Sequence, residues 1–369
     1  MINEKRLLDT FLELIRIDSE SGSELDMDNR LLALLEAIPG VQLRTEAAGS
    51  FYKTNGFNII AWIPGDLPGE PVLLSAHTDT VVPGKGIKPQ IRDGFVYSDG
   101  STILAADDKA GIAQILEAVR SIKEQGLPHR SIEILFSVGE ETGLNGAKSI
   151  NVEKLHARQG YVLDTGGSPG RIVNCQPGQY AVTAVITGRS AHAGNQPEAG
   201  ISAIQVAAHA IANMKLLRVD ELTTCNIGSI ESSYPTNIVP EKCSIKMEIR
   251  SRDLGLLDAQ EAHVRRCFDE ACAKFGASLE YDKLTKYLSY KIEEDAPVIA
   301  EYAAACRRNG IEPRLEGAGG GSDANIYNQK GLRCVVVSTG MYGNHAVTEK
   351  LNIAEMNKAA SILADLLTH

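Results

Sequence analysis

Two stretches carry residue types that hold metals. Val72-Leu73-Leu74-Ser75-Ala76-His77-Thr78-Asp79 is an apolar run ending in His-x-Asp. Leu104-Ala105-Ala106-Asp107-Asp108-Lys109-Ala110-Gly111 sets two carboxylates just ahead of a helical pattern. Side chains alternate faces along a strand, so His77 and Asp79 share a face. Imidazole with carboxylates is the ligand set of a borderline divalent cation such as zinc, and cobalt or manganese suits the same donors. Other apolar runs also stop at potential ligands. Ile132–Val138 ends at Gly139-Glu140-Glu141, and Tyr161–Leu163 ends at Asp164. Cys334–Ser338 is followed by Thr339-Gly340-Met341-Tyr342-Gly343-Asn344-His345. One strand ending in an acid is ordinary turn chemistry. Several such ends carrying His and acids point to one shared pocket, because ligands in open α/β sheets gather beyond the carboxyl ends of strands.

The charges of this set are informative. Two divalent cations bring four positive charges. Asp107, Glu141 and Asp164 supply three negative ones and Glu140 a fourth, while His77 and His345 are neutral ligands. The set balances two zinc ions with Asp107 shared, the arrangement of a two-metal hydrolase. Glu140 and Glu141 are neighbours and can point different ways, so one can hold metal while the other faces water. A metal lowers the pKa of bound water to roughly 7, and a nearby carboxylate can then take the proton. Asp79 is placed to orient His77.

These residues need a scaffold. Asn3–Ile17 and Asp28–Ile38 carry helical stripes. Asn58–Ile63 and Val72–Ala76 read as strands separated by the turn Pro64–Gly69. Pro83–Ser101 is loop-rich with one weak strand, Phe95–Tyr97. Lys109–Ser121 is predicted as a helix with Ile112, Ile115, Leu116 and Val119 on one side and Asp108 as its N-cap. Alternating strands and helices predict an α/β layer, a mostly parallel sheet with helices on both faces. From Gly178 the pattern changes to strand Tyr180–Gly188, helix Ile201–Leu217, strands Cys225–Ile230 and Cys243–Arg250, helix Ala259–Phe275 and strand Ser278–Tyr281. That order is a ferredoxin-like α+β domain. It reads as an insertion, because helix Pro297–Arg308, strand Cys334–Ser338 and helix Ile353–Leu367 resume the α/β pattern. The expected division is 1–177 and 287–369 for a catalytic domain, with 178–286 as the inserted domain.

The chain has 369 residues, 43% of them hydrophobic and 23% charged, which fits a globular protein of two domains. A formal net charge of -10 argues against a nucleic-acid partner. The seven cysteines form no Cys-x-x-Cys and suggest reduced thiols. Met1–Arg6 opens a charged amphipathic helix and no apolar run approaches a membrane span, so a cytoplasmic protein without a membrane partner is expected. Gly317-Ala318-Gly319-Gly320-Gly321-Ser322 lacks the third glycine of a phosphate-binding Gly-x-Gly-x-x-Gly and follows no clear strand, which disfavours a nucleotide-binding enzyme. It is expected to line the substrate pocket, and Asp323 to fix that loop.

The chain resembles the zinc-dependent exopeptidases and amide hydrolases that include peptidase T, carboxypeptidase G, aminoacylase and succinyl-diaminopimelate desuccinylase. The resemblance rests on Ser75–Val81, Asp99–Gly111, Gly139-Glu140-Glu141, Leu163–Gly167, Arg189–Gly194, Gly320–Asp323 and the late His345. The Asp99–Gly111 block most resembles peptidase T, a tripeptide aminopeptidase. The resemblance implies that His77 and Asp164 bind one zinc, Glu141 and His345 the other, and Asp107 bridges. It implies Glu140 as general base and a cis peptide at Asp107–Asp108. His192 is implied to steady an oxyanion, often from a partner subunit. Pro235–Pro240 and Glu248–Arg250 resemble segments that bind a substrate carboxylate, through Asn237 and Arg250, with Arg252 as a rival for the arginine. The implied activity is hydrolysis of a terminal bond in short peptides by a homodimer joined through the inserted domain. The alternatives are an N-acyl amino acid deacylase, a desuccinylase or a carboxypeptidase on the same scaffold. A non-catalytic metal-binding scaffold would have no need of Glu140.

Overall fold

In the computed structural model, which describes residues 2–369, the apolar runs assemble side by side. One sheet has the spatial order Gln42–Glu46, Asn58–Ile63, Ile132–Ser137, Val72–His77, Gln159–Thr165, Arg333–Ser338, Arg171–Gln176. Its central strands, Ile132–Ser137, Val72–His77, Gln159–Thr165 and Arg333–Ser338, run parallel, and the strands flanking them pair antiparallel. Ile132–Ser137 and Val72–His77 are buried at every position, as parallel strands covered on both faces must be. On one face Val72, Leu74 and Ala76 share a core with Leu116 and Val119 of helix Ala106–Glu124 and with Leu363 of helix Ile353–Thr368. On the other, the Ser75 hydroxyl meets the Tyr327 hydroxyl of helix Asp323–Gln329 at 3.2 Å. The parallel centre brings the carboxyl ends of the strands, and the residues after them, to one rim of the sheet.

Local details depart from expectation for readable reasons. Gln42–Glu46 is half-exposed and polar, so it carries no apolar run to announce it. Asp323–Gln329 is only seven residues long; its signal was the capping box of Ser322 and Asn325. The glycine loop does follow a short strand, Arg314–Gly317, contrary to expectation. Helix Ile201–Leu217 was expected too long. It spans Ala203–Ala212, capped by Ser202, and Leu217 is exposed with φ +60. Phe95–Tyr97 pairs with Gln90–Arg92 on one side and Lys350–Asn352 on the other.

The chain divides into two compact units. One contains the chain up to Cys175 with Lys291–Gly317 and Ser322–His369; the other is Gln176–Tyr290 with Ala318–Gly321. The second unit carries an antiparallel sheet of order Leu217–Arg218, Thr223–Glu231, Lys242–Ser251, Gly178–Thr187, Ser278–Tyr287. Gly178–Thr187 alternates buried and half-buried positions, and Val182, Ala184 and Ile186 pack with Val264 and Phe268 of helix Leu254–Phe275. Helices Ala203–Ala212 and Leu254–Phe275 complete the ferredoxin-like order. Among the described residues, no helix is long and apolar enough to cross a membrane.

Candidate metal centre

His77 is the last residue of its strand and is buried. Its Nδ1 donates to the Asp79 main-chain carbonyl at 2.9 Å, which turns Nε2 toward the rim. Nε2 lies 3.0 Å from Asp107 Oδ1 and 3.9 Å from Asp164 Oδ1. The other Asp107 oxygen, Oδ2, is 3.3 Å from His345 Nε2, which is 3.0 Å from Glu141 Oε1. Two donor sets therefore meet, His77–Asp107–Asp164 and Asp107–Glu141–His345, and Asp107 belongs to both. A third set joins His77, Glu140 and Glu141.

Each side chain is delivered by a specific backbone device. The Asp107–Asp108 peptide is cis, and both residues leave helical dihedrals before the regular helix begins at Lys109. Asp108 has the non-helical dihedrals of a cap, and burial pushes its carboxyl well above the ordinary range against the opposing pull of His77 and the main-chain N–H groups of His77 and Gly111. His345 adopts φ +64, a conformation rare for a residue with a side chain and often found at functional sites. The Glu140-Glu141 turn is held by Asp79. Its carboxylate accepts the N–H of Glu140 at 2.9 Å, the N–H of Glu141 at 3.3 Å and the Ser21 hydroxyl at 2.6 Å. Asp79 thus orients His77 mainly through its carbonyl, with its carboxylate 3.5 Å from Nδ1 and committed to the glutamate turn.

The arrangement concentrates negative charge in a buried place. Burial, then the charges of Asp107 and Glu140, push the Asp164 carboxyl well above its ordinary range. Burial raises Glu140 likewise, and the nearby Glu141, Asp323 and Asp79 add to it against the opposing pull of His77. Glu141 is raised by burial against the opposing pull of the nearby His345. Asp107 also suffers burial, but hydrogen bonds from His345 and His77 hold it below its usual range. Those same acids push the His345 imidazole up to about 10.

Such a set fits a pair of small divalent cations. Ligand atoms about 2.0–2.2 Å from a tetrahedral zinc lie roughly 3.3–3.6 Å from one another. The four nitrogen–oxygen separations here fall between 3.0 and 3.9 Å. Glu141 Oε1 makes no aligned hydrogen bond although His345 Nε2 is 3.0 Å away, as expected of two lone pairs that face a shared cation.

Two neighbours of Asp107 carried no sequence signal. Asn344 Nδ2 donates to Asp107 Oδ2 at 2.9 Å. Glu349 is buried and accepts main-chain N–H groups from the segment Leu104–Asp107. Burial, then the charge of Asp107, pushes its carboxyl up to about 7. Asp323 is buried, accepts the Ser137 hydroxyl and stands at the start of its helix.

The remaining candidates lie on the second unit. His192 is exposed, and its Nδ1 accepts N–H groups from Gly194 and Asn195, both at 3.1 Å. In the neutral ring the proton then sits on Nε2, leaving an outward donor. Asn237 is brought beside His192: the Ala193 N–H donates to the Asn237 carbonyl at 2.9 Å, and His192 bridges Ile238. Arg250 is elsewhere. The ladder that pairs Arg250 with Gln179 runs to Lys242 with Thr187 and continues to His192 with Ile238. At about 3.4 Å per residue, Lys242 to Arg250 alone spans roughly 27 Å. Arg250 and Asn237 of one chain therefore lie toward opposite ends of this ladder. Arg250 is paired with Glu248 at 3.0 and 3.1 Å, and Arg252 donates to the Glu221 carbonyl at 3.3 Å.

A parallel sheet whose rim gathers His, Asp and Glu into overlapping donor sets is the frame of a metallohydrolase. The family model described as peptidase family M20/M25/M40 matches residues 73–369, and the chain belongs to that family. Among its relatives, protein YqjE of Bacillus subtilis (strain 168) is 38% identical over 367 residues, which covers 100% of this chain and 99% of YqjE. Two solved structures are similar along the full chain. The aminopeptidase PepT of Bacillus cereus ATCC 10987 has a TM-score of 0.92 at 38% identity, covering 100% of this chain and 98% of its own. A tripeptidase of Staphylococcus aureus subsp. aureus Mu50 has a TM-score of 0.96 with the same identity and coverage.

Proposed function

We propose that this peptidase is a two-zinc aminopeptidase that removes the terminal residue of short peptides, tripeptides foremost. The observation that carries the reading is the pair of donor sets that share Asp107, with the buried Glu140 beside them. The similarity to an aminopeptidase PepT and a tripeptidase supports the substrate class. His77, Asp107 and Asp164 would hold one cation and Asp107, Glu141 and His345 the other. Bound there, the cations would supply Lewis acidity to a carbonyl oxygen and to a water.

The chain's own groups do the rest. Glu140 takes the water's proton, which its burial and acidic neighbours make it ready to hold, and passes it to the leaving amine. Asp79 holds the Glu140 and Glu141 amides so that the two side chains diverge. His192 offers its Nε2–H to the developing oxyanion, and Arg250 and Asn237 are the candidates for the substrate's carboxylate. The reading includes a homodimer in which a second copy supplies the end of the ladder that carries His192 and Asn237.

A panel of tripeptides, dipeptides and N-acyl amino acids, assayed with zinc, cobalt or manganese, tests the reading. Tripeptides with a free amino terminus should be cleaved fastest. Preferential cleavage of N-acyl amino acids would replace the aminopeptidase with a deacylase, and undiminished turnover after complete chelation would refute the metal site.

A further inference from the structure

We infer that Glu349 is a positioning residue for the proposed metal cage: its carboxylate locks the segment that carries Asp107 to the segment that carries His345. The inference rests on the metal-dependent reading above and goes beyond it, since Glu349 is not among the donors. Glu349 is almost wholly buried. Its Oε2 accepts the N–H groups of Leu104 and Ala105, both at 2.8 Å, and its Oε1 accepts the N–H of Asp107 at 3.0 Å. Successive amides converge on one side chain because Ala105 takes the left-handed conformation, φ +61. The other end of the lock is equally short. The Glu349 N–H donates to the Ala346 carbonyl at 2.9 Å, one residue past His345, and the next strand, Lys350–Asn352, pairs with Phe95–Tyr97.

Asp107 must present its two oxygens to two different histidines, 3.0 Å from His77 and 3.3 Å from His345. A small rotation of its backbone would lose one of them. The Glu349 carboxylate removes that freedom by holding the Asp107 amide itself. A glutamine at this position would turn an NH2 group toward at least one of the three amides, donor against donor, so the charge and both oxygens matter.

The test measures metal affinity directly, by titrating zinc into chelator-stripped full-length protein against a colorimetric zinc chelator. Glu349→Gln should weaken zinc binding by about 10–100-fold, the usual effect of losing a group that orients a ligand. Glu349→Asp, which keeps both oxygens but falls short, should lose about tenfold on the same scale. Glu133→Gln is the control. Glu133 is also buried and accepts two main-chain N–H groups, from His156 at 2.8 Å and Ala157 at 2.9 Å, at the start of a strand whose other end leads to the glutamate turn. It should lower the melting temperature and leave zinc affinity unchanged. Wild-type affinity in Glu349→Gln, or in Glu349→Asp if the former does not fold, overturns the inference. An equal loss in Glu133→Gln also overturns it, by showing that affinity follows general stability. A wild-type protein that binds no zinc would overturn the underlying metal reading, and that arm of the experiment reports it separately.

Discussion

Replacing Glu140 by glutamine should separate catalysis from stability in opposite directions. The side chain keeps its volume and loses only its charge. Glu140 is buried, shares a donor set with His77 and Glu141, and is not in either set that shares Asp107. Removing a general base costs about 10²–10⁴ in rate, or about 2.7–5.5 kcal/mol of transition-state stabilisation. The metal-free fold should respond the other way. Burial and then like charges raise the Glu140 carboxyl above its ordinary value of 4.5. A raised acid destabilises the folded state: the penalty is absent below the unfolded value and complete once pH exceeds the folded one. A neutral amide lifts that penalty at neutral pH. The variant should therefore bind zinc as the wild type does, turn over substrate at least 100-fold more slowly, and unfold at a higher urea concentration when stripped of metal. Steady-state kinetics, zinc titration and urea denaturation monitored by the single tryptophan, Trp62, read these three quantities. Near-normal kcat refutes the base assignment, and lost zinc binding shows instead that Glu140 is a ligand.

Further outcomes follow from the same geometry. His345, pushed up to about 10 by Asp107 and Glu141, competes with metal for its proton, so binding should release protons and affinity should rise with pH up to about 10. Calorimetry in buffers of different ionisation enthalpy checks this, and proton-neutral binding refutes it. The same raised imidazole stabilises the metal-free fold below its ordinary value of 6.5, and that contribution should fade as pH climbs through 10. Asp79→Asn puts a donor where carboxylate oxygens accept the amides of Glu140 and Glu141. It should cost about 1–3 kcal/mol in urea denaturation and lower kcat with it; an unaffected kcat would show that the turn holds without Asp79. His192→Ala removes an exposed donor and should lower kcat by about 10²–10³ with zinc content unchanged, while unaltered kinetics would make His192 a bystander.

Much of this protein is legible from its sequence, because local rules govern the parts concerned. Short, largely apolar runs such as Ile132–Ser137 read as strands buried on both faces, and strands joined through helices favour parallel pairing at the centre of the sheet. Parallel strands end on one rim, so topology brings the segments that carry His77, Glu140, Glu141, Asp164 and His345 to the same place. The change of rhythm after Gly178 marks the antiparallel module for the same reason. Tertiary structure decided what no local pattern encodes: which atom of a residue does the work, and how far apart two loops end. Asp79 turns His77 with a carbonyl and spends its carboxylate on the glutamate turn, a choice set by where Ser21 and the Glu140 amide arrive. Arg250 and Asn237, thirteen residues apart in sequence, are separated by a rigid strand. Glu349 and Leu104, 245 residues apart, are joined by a hydrogen bond. A buried carboxylate finds its partners only when the chain has closed around it, so its purpose is written in contacts and not in the order of residues.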